Sequence, residues 1–439
     1  MKKVTIPVYY LILLLLSVVS CKKEVSETSL EDPSVQAFDA GLNDNIVKAF
    51  KTPEGGFILI GHTYFAGRGL DAFVMRIDNK GHLHGKEYFG GKGNDIVHNA
   101  TCDDVGNILA VGSTASNELF LADSSFSSQY YMLYLDNKGG LKWQMAYGNL
   151  LAPFTLSNHK RHWANTDEAF SVVANADGSF WVGGSSRSYW ADTIHPAPNG
   201  VNTSSRCATI FRINPSKQIT NIRPYFLYSN SGYINNSGGV NLLKMANGNL
   251  CLNVALSVLG HSQNVTAKIL KLNPDGDSLK AFHSNTFQNA FHYAHNLIEK
   301  PDGSIAYINA LSGKIVFLDD QLNLGSTVDF NPFTKLNGFM ISKAIATKDA
   351  IYLAGSETPF PITNDIFAIP SFQNSYPILI KTDLNGKILW TKNLNPMNGI
   401  ARDVIEDGNK IHLFLTGKSK DMKTTKIYLI TLNKNGEIE

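Results

Sequence analysis

The residues best suited to recognition or chemistry crowd into a few stretches. Asn158-His159-Lys160-Arg161-His162-Trp163 is one; Arg187-Ser188-Tyr189-Trp190-Ala191-Asp192, with His195 close behind, is another. Trp and Tyr rings stack on sugar faces or fill partner pockets, and Arg offers a planar fork to carboxylates and amides. Arg161, His162, Trp163, Arg187, Tyr189 and Trp190 are therefore the candidate ligand-binding residues; such aromatics equally serve to pack long loops together. No G-x-S-x-G, H-E-x-x-H, C-x-x-C or P-loop sequence occurs. Asp44, Asp95 and Asp167 fall at equivalent places in consecutive repeats, as glycosidase carboxylates around an axis would, or as caps of tight connections would. Asn273-Pro274-Asp275-Gly276-Asp277-Ser278 starts like a Ca²⁺ loop, but no downstream acidic ligand follows, so it reads as a turn. No catalytic residue, metal site or cofactor is assigned.

The elements that must carry these residues are repeats. Gly55-Gly56-Phe57-Ile58-Leu59-Ile60-Gly61-His62-Thr63 followed by Asp71–Gly81 recurs as Gly106–Thr114 followed by Tyr131–Gly139. Further first halves begin near Gly178, Gly248, Gly303, Asp349 and Asn409, and further second halves near Ala208, Ala267, Lys314, Pro377 and Lys426, which makes seven copies. Each copy reads as four strands, A to D. Strand C is rich in β-branched and aromatic residues and ends in an Asp/Asn…Gly turn: Asp78…Gly81, Asp136…Gly139, Asn273…Gly276, Asp383…Gly386 and Asn433…Gly436. No stretch shows helical periodicity. Repeats of this kind predict an all-β, seven-bladed β-propeller of four-stranded antiparallel blades. The last copy stops just past its strand C turn, and Val35–Asp39 resembles a strand D without a blade. The N-terminal strand is therefore expected to complete the last blade and close the ring.

The extra residues in long copies, at Ala115–Gln129, Asn149–Thr166, Ser186–Arg206, Pro224–Gly238 and Glu357–Ser375, all fall between strands B and C or between D and the next A. Both connections emerge on one face of the disc, and loops on a rigid scaffold are the usual site of binding. Strand A carries a polar column, Lys48, Asn99, Ser171, Asn241, Asn296, Lys343 and Asp403, which fits a wet axial channel without requiring a ligand. His98 and His295 lie beside it, facing either the channel or a neighbouring blade. Cys102, Cys207 and Cys251 lie in different copies and are expected to be buried free thiols.

Two resemblances add to this. Asp136–Trp143 and Asp383–Trp390 resemble the D-x-x-G-K-x-x-W of quinoprotein-like propeller repeats, which implies the fold and no cofactor. At the start, Lys2 and Lys3 precede an apolar run, Val8–Val19, too short to span a bilayer, and then Ser20-Cys21. This resembles a bacterial lipoprotein signal, and Cys21-Lys22-Lys23-Glu24 is similar to the start of Bacteroidota lipoproteins. The resemblance implies a signal peptide over 1–20, a lipidated (palmitate-bearing) Cys21 with a polar tether over 21–34, and the propeller over 35–439. It also implies an outer-membrane, lipid-anchored location, periplasmic or surface-exposed. The full chain carries a net charge of +2, and losing Lys2 and Lys3 leaves it neutral. That is a poor balance for nucleic acid, whose binding rests on neutralising phosphates. The expected protein is a monomer that meets the membrane through its lipid and presents the loop face to a glycan or envelope protein. A polysaccharide-active hydrolase or lyase of propeller fold is the alternative.

Overall fold

The computed structural model describes residues 35–119, 126–148, 165–189, 204–225, 240–258, 261–284, 295–309, 313–329, 339–357 and 375–439. Seven four-stranded antiparallel blades stand around a central axis. Blade 1 comprises Asn45–Lys51, Phe57–Phe65, Gly69–Ile77 and Leu83–Phe89 from the axis outward, and blades 2 to 6 repeat that order. The inner strands contact one another in sequence, blade 7 against blade 1 included.

Each blade buries both of its faces, so its middle strands read as unbroken apolar runs rather than alternating ones. Ile108–Thr114 and Ile351–Glu357 are buried at every position. The core is accordingly seven clusters, one at each boundary between blades. At the boundary between blades 7 and 1, for example, Phe414, Ile427 and Leu429 meet Leu59, Phe73 and Met75.

Blade 7 closes the ring. Val35–Phe38 runs antiparallel to Thr425–Asn433, with Val35 opposite Ile430 and Phe38 opposite Ile427. The outer strand is a composite, a detail beyond the sequence-based expectation. Ile438 bridges Leu432, and the Glu439 N–H donates to the Thr431 carbonyl at 3.0 Å. Ile438–Glu439 and Val35–Phe38 therefore occupy consecutive places along one strand.

The turn after strand C shows why Asp or Asn recurs there. One side-chain oxygen accepts two backbone N–H groups, as when Asp78 Oδ1 accepts from Lys80 and His82 at 2.8 Å each. Asp136, Asn273, Asp319, Asp383 and Asn433 do the same. This includes Asn273, which is a turn residue as read. The fourth residue has positive φ, and in blades 3 and 5 it is not glycine but Lys217 (φ 67°) and Leu322 (φ 59°). Leu322 is buried and compensates by packing; Lys217 is exposed. Lys217→Gly is expected to stabilise the fold by about 0.5–1 kcal/mol by relieving the left-handed conformation. Urea melts of the two proteins check this.

Among the described residues, donors from six of the seven blades reach the corresponding turn of the next. Trp143 Nε1 donates to the Pro215 carbonyl at 2.9 Å, and Trp390 Nε1 to that of Lys434 at 3.0 Å. Gln36, Arg76, Tyr225 and Lys271 do the same job for the turns of blades 1, 2, 4 and 5. The two Trp residues picked out in the sequence are thus one solution among several to a common docking task.

Candidate functional site

All seven inner strands border the axial channel, a cavity of about 480 Å³. Its chemistry begins with a bulge. The pairing of strands A and B shifts register between Ile46 and Lys48, Val97 and Asn99, Ile341 and Lys343, and Ala401 and Asp403. A regular strand turns consecutive side chains to opposite faces, whereas a bulge breaks the alternation. Consecutive residues consequently line the channel: Val47 with Lys48, His98 with Asn99, Ser342 with Lys343. The repeat's strand B glycine permits this. A Cβ at Gly61 or Gly112 would run into the carbonyl oxygen of Asn45 or Ile96 on the bulged strand.

The polar column sits at this level, and most of its oxygens are committed. Asp403, fully buried, accepts from the Ala49 N–H of blade 1 through Oδ2 at 2.9 Å and from Lys48 Nζ through Oδ1 at 3.0 Å. Ser171 Oγ accepts from the Leu242 N–H of blade 4 at 2.9 Å, and Asn296 Oδ1 from the Ala344 N–H of blade 6 at 3.2 Å. Each is the same staple from one blade's inner strand to the next. Lys48 and Lys343 occupy the equivalent positions in blades 1 and 6, on either side of Asp403. The Lys48 charge and burial push the Lys343 ammonium down to about 8, against the pull of Asp403. His98 lines the channel, as one sequence reading allowed, with its ring 5.4 Å from that of Phe170. Burial, and then His62, push it down to about 3. Toward the face of short turns the lining becomes aliphatic, with Val173, Leu243, Ile298 and Ile345.

Two of the three aligned aspartates are caps. Asp44 accepts from the Ala40 and Gly41 N–H groups at 2.7 Å and from Thr63 Oγ1 at 2.7 Å. Asp95 accepts from the Gly91 N–H and Ser116 Oγ, both at 2.7 Å. Burial pushes the Asp44 carboxyl up to about 6. Asp167 is buried at the third such position. Among the described residues, no three His, Cys, Asp or Glu side chains gather as a metal site.

Asp71 is buried beside this array, 3.0 Å from the exposed guanidinium of Arg68. Burial raises its carboxyl to about 6, with Asp95 adding to the rise and Arg68 opposing it. The folded state then binds the extra proton between about pH 4 and pH 6. Stability from this group is present below that window, is lost as pH rises through it, and stays level above it. Asp71→Asn is therefore expected to raise stability at pH 8 by on the order of 1–3 kcal/mol while changing little at pH 4. Denaturant melts at the two pH values test it.

Of the sequence-derived ligand residues, Arg161, His162, Trp163 and Trp190 lie outside the described residues, as do Cys21 and the whole of 1–34. Arg187 and Tyr189 are described by backbone alone. They lie where strands B and C of blade 3, Phe180–Tyr189 and Ser204–Ile213, continue as a paired ladder to Tyr189 opposite Ser204. The Ala115–Gln129 and Asn149–Thr166 insertions are tied at one place by a short parallel pairing of Asn165 with Phe126 and Thr166 with Ser128. Cys251 is buried as expected, its thiol pushed up to about 12 by burial. Cys102 corrects the expectation: it ends the inner strand Asp95–Cys102 and is exposed. The Cys207 side chain falls outside the described set.

No family model matches the chain, and no curated protein matches it. Among solved structures, a catalytically inactive virginiamycin B lyase from Staphylococcus aureus with quinupristin is similar over 90% of this chain and 98% of that one, at 12% identity and a TM-score of 0.48. The polysaccharide lyase Uly1 is similar over 90% of each chain, at 10% identity and a TM-score of 0.48. A protein of unknown function from Bacteroides caccae is similar over 76% of this chain and 94% of that one, at 12% identity and a TM-score of 0.40. Likenesses this distant carry neither an activity nor a ligand to this chain.

Proposed function

We propose that the protein is a lipid-anchored envelope protein whose propeller holds out one loop-bearing face to a glycan or protein partner. The observation that carries this reading is the asymmetry of the two faces. The connections from A to B and from C to D number at most five residues each, while those from B to C and from D to A include 148–164, 190–203 and 358–375. A rigid ring with elaboration confined to one face is the usual layout of a binding scaffold. The hydrolase alternative draws no support from Asp44, both of whose oxygens are committed to capping.

Val35–Phe38 and Ile438–Glu439 share the outer strand of blade 7. Fatty-acid labelling of cells expressing Cys21→Ala should lose the label and release the protein from membranes. In a glycan array, Trp163→Ala with Trp190→Ala should weaken any hit by about 1–3 kcal/mol per aromatic anchor, with melting unchanged. Labelling that survives the Cys21 change, or full binding by the double variant, overturns the respective half of the proposal.

A further inference from the structure

The channel's hydrogen-bonding balance is one-sided. Among the described residues, the acceptors at mid-depth are largely used to join blades. Both Asp403 oxygens, Ser171 Oγ and Asn296 Oδ1 are engaged, and Asn99 Oδ1 accepts the Ala100 N–H at 2.9 Å. Most of what is left over is donors, although Asn253, which also lines the channel, keeps an unpaired Oδ1 beside its own NH₂. Lys343 has no hydrogen bond or ion pair among the described residues and feels only the nearby charges of Lys48 and Asp403. Lys48 gives Asp403 one of its three N–H groups. With its oxygen turned to blade 6, Asn296 has an NH₂ to spare. The charges follow the same bias, with Lys48 and Lys343 set against Asp403 at this level. Farther along, Lys244 and Glu299 are spent on the Ala174 carbonyl and the Ala246 N–H.

We propose that the axial channel is a binding site for an oxyanion group, a carboxylate, sulfate or phosphate carried by a small molecule, with Lys343 as its principal charged contact. The cavity is within the size range of small-ligand sites. An oxyanion supplies acceptors where donors are in surplus and negative charge between two ammonium groups that one carboxylate cannot satisfy. An uncharged sugar offers hydroxyls but not the charge, so it should bind worse than its acidic counterpart. This site is independent of the loop face and stands or falls separately from it.

The test is calorimetric titration of the full chain at constant ionic strength with acetate, glucuronate, inorganic sulfate and inorganic phosphate, with glucose as the neutral control. Binding is expected from at least one anion and not from glucose, with the preferred anion separating carboxylate from sulfate or phosphate sources. Lys343→Gln should weaken binding about tenfold or more, the scale of one charge-assisted hydrogen bond, while Lys343→Arg keeps most of it. A measurement that needs no variant runs beside it: acylation of lysines at pH 8, read by mass spectrometry. Lys343 should react ahead of exposed lysines and be protected by the binding anion. Absence of binding by every anion, unchanged binding in Lys343→Gln, or labelling of Lys343 indifferent to anion each overturns the proposal.

Discussion

Asp403→Ala is expected to destabilise the propeller by about 3 kcal/mol, at the low end for breaking a buried ion pair because Lys48 reaches a wet channel. The substitution removes three things at once. The Lys48 ammonium loses its partner at 3.0 Å, the Ala49 N–H loses its acceptor at 2.9 Å, and the repulsion between Lys48 and Lys343 loses its counter-charge. Asp403→Asn separates these effects. It keeps an oxygen for the Ala49 N–H and loses only the charge, so it should cost less, about 1–2 kcal/mol. Adding Lys48→Met to Asp403→Asn should then recover part of that loss, because the surplus positive charge falls. A coupling of about 1 kcal/mol or more in this double-mutant cycle is the expected signature. If the two substitutions simply add, the Lys48–Asp403 contact is incidental and the staple to Ala49 carries the whole effect. Equilibrium unfolding in urea at neutral pH resolves the cases.

The fold was legible because a propeller writes each structural need seven times. Apolar middle strands, the strand B glycine and the Asp/Asn turn recur wherever two blades pack, a strand bulges or a hairpin closes. The polar column was visible for the same reason. Its dual role was not, since sequence periodicity places residues in a column but says nothing about which neighbour accepts which proton. Asp403, Ser171 and Asn296 look interchangeable with Lys48 and Lys343 by position, and only the register of the next inner strand separates blade-joining acceptors from surplus donors. The one available signal was charge: Lys343, Asp403 and Lys48 fall in three successive blades around the closed ring. Turns lacking glycine, at Lys217 and Leu322, escaped because a non-glycine residue in the left-handed region leaves no mark in composition. The exposure of Cys102 escaped because a strand's last residue can leave the barrier between blades while the rest of the strand stays within it.

Ring closure yields the largest expected effect. A chain lacking residues 22–33 should melt like the full-length chain, because the first residue of the closing strand is Val35. A chain lacking residues 22–40 loses Val35, Phe38 and Ala40, which are 9%, 6% and 1% exposed. It also loses the ladder to Ile427–Ile430 and the Gln36 bond to the Lys80 carbonyl of blade 1. Truncating a buried Phe alone costs about 3–5 kcal/mol. With the strand's other contacts gone, the loss approaches the whole stability of a typical domain, about 5–15 kcal/mol. Tyr428 and Ile430 would face water along an open edge, so aggregation should accompany unfolding. Removing residues 437–439 instead takes away only the short half of the composite strand, anchored by Ile438 opposite Leu432. That deletion should cost about 1–3 kcal/mol and leave a folded ring. The order of melting temperatures is therefore fixed in advance: deletion of 22–33 at the top, deletion of 437–439 below it, and deletion of 22–40 without a cooperative transition. A cooperative melt of the 22–40 deletion at the full-length temperature would mean that blade 7 holds with three strands and that the N-terminal strand is an accessory.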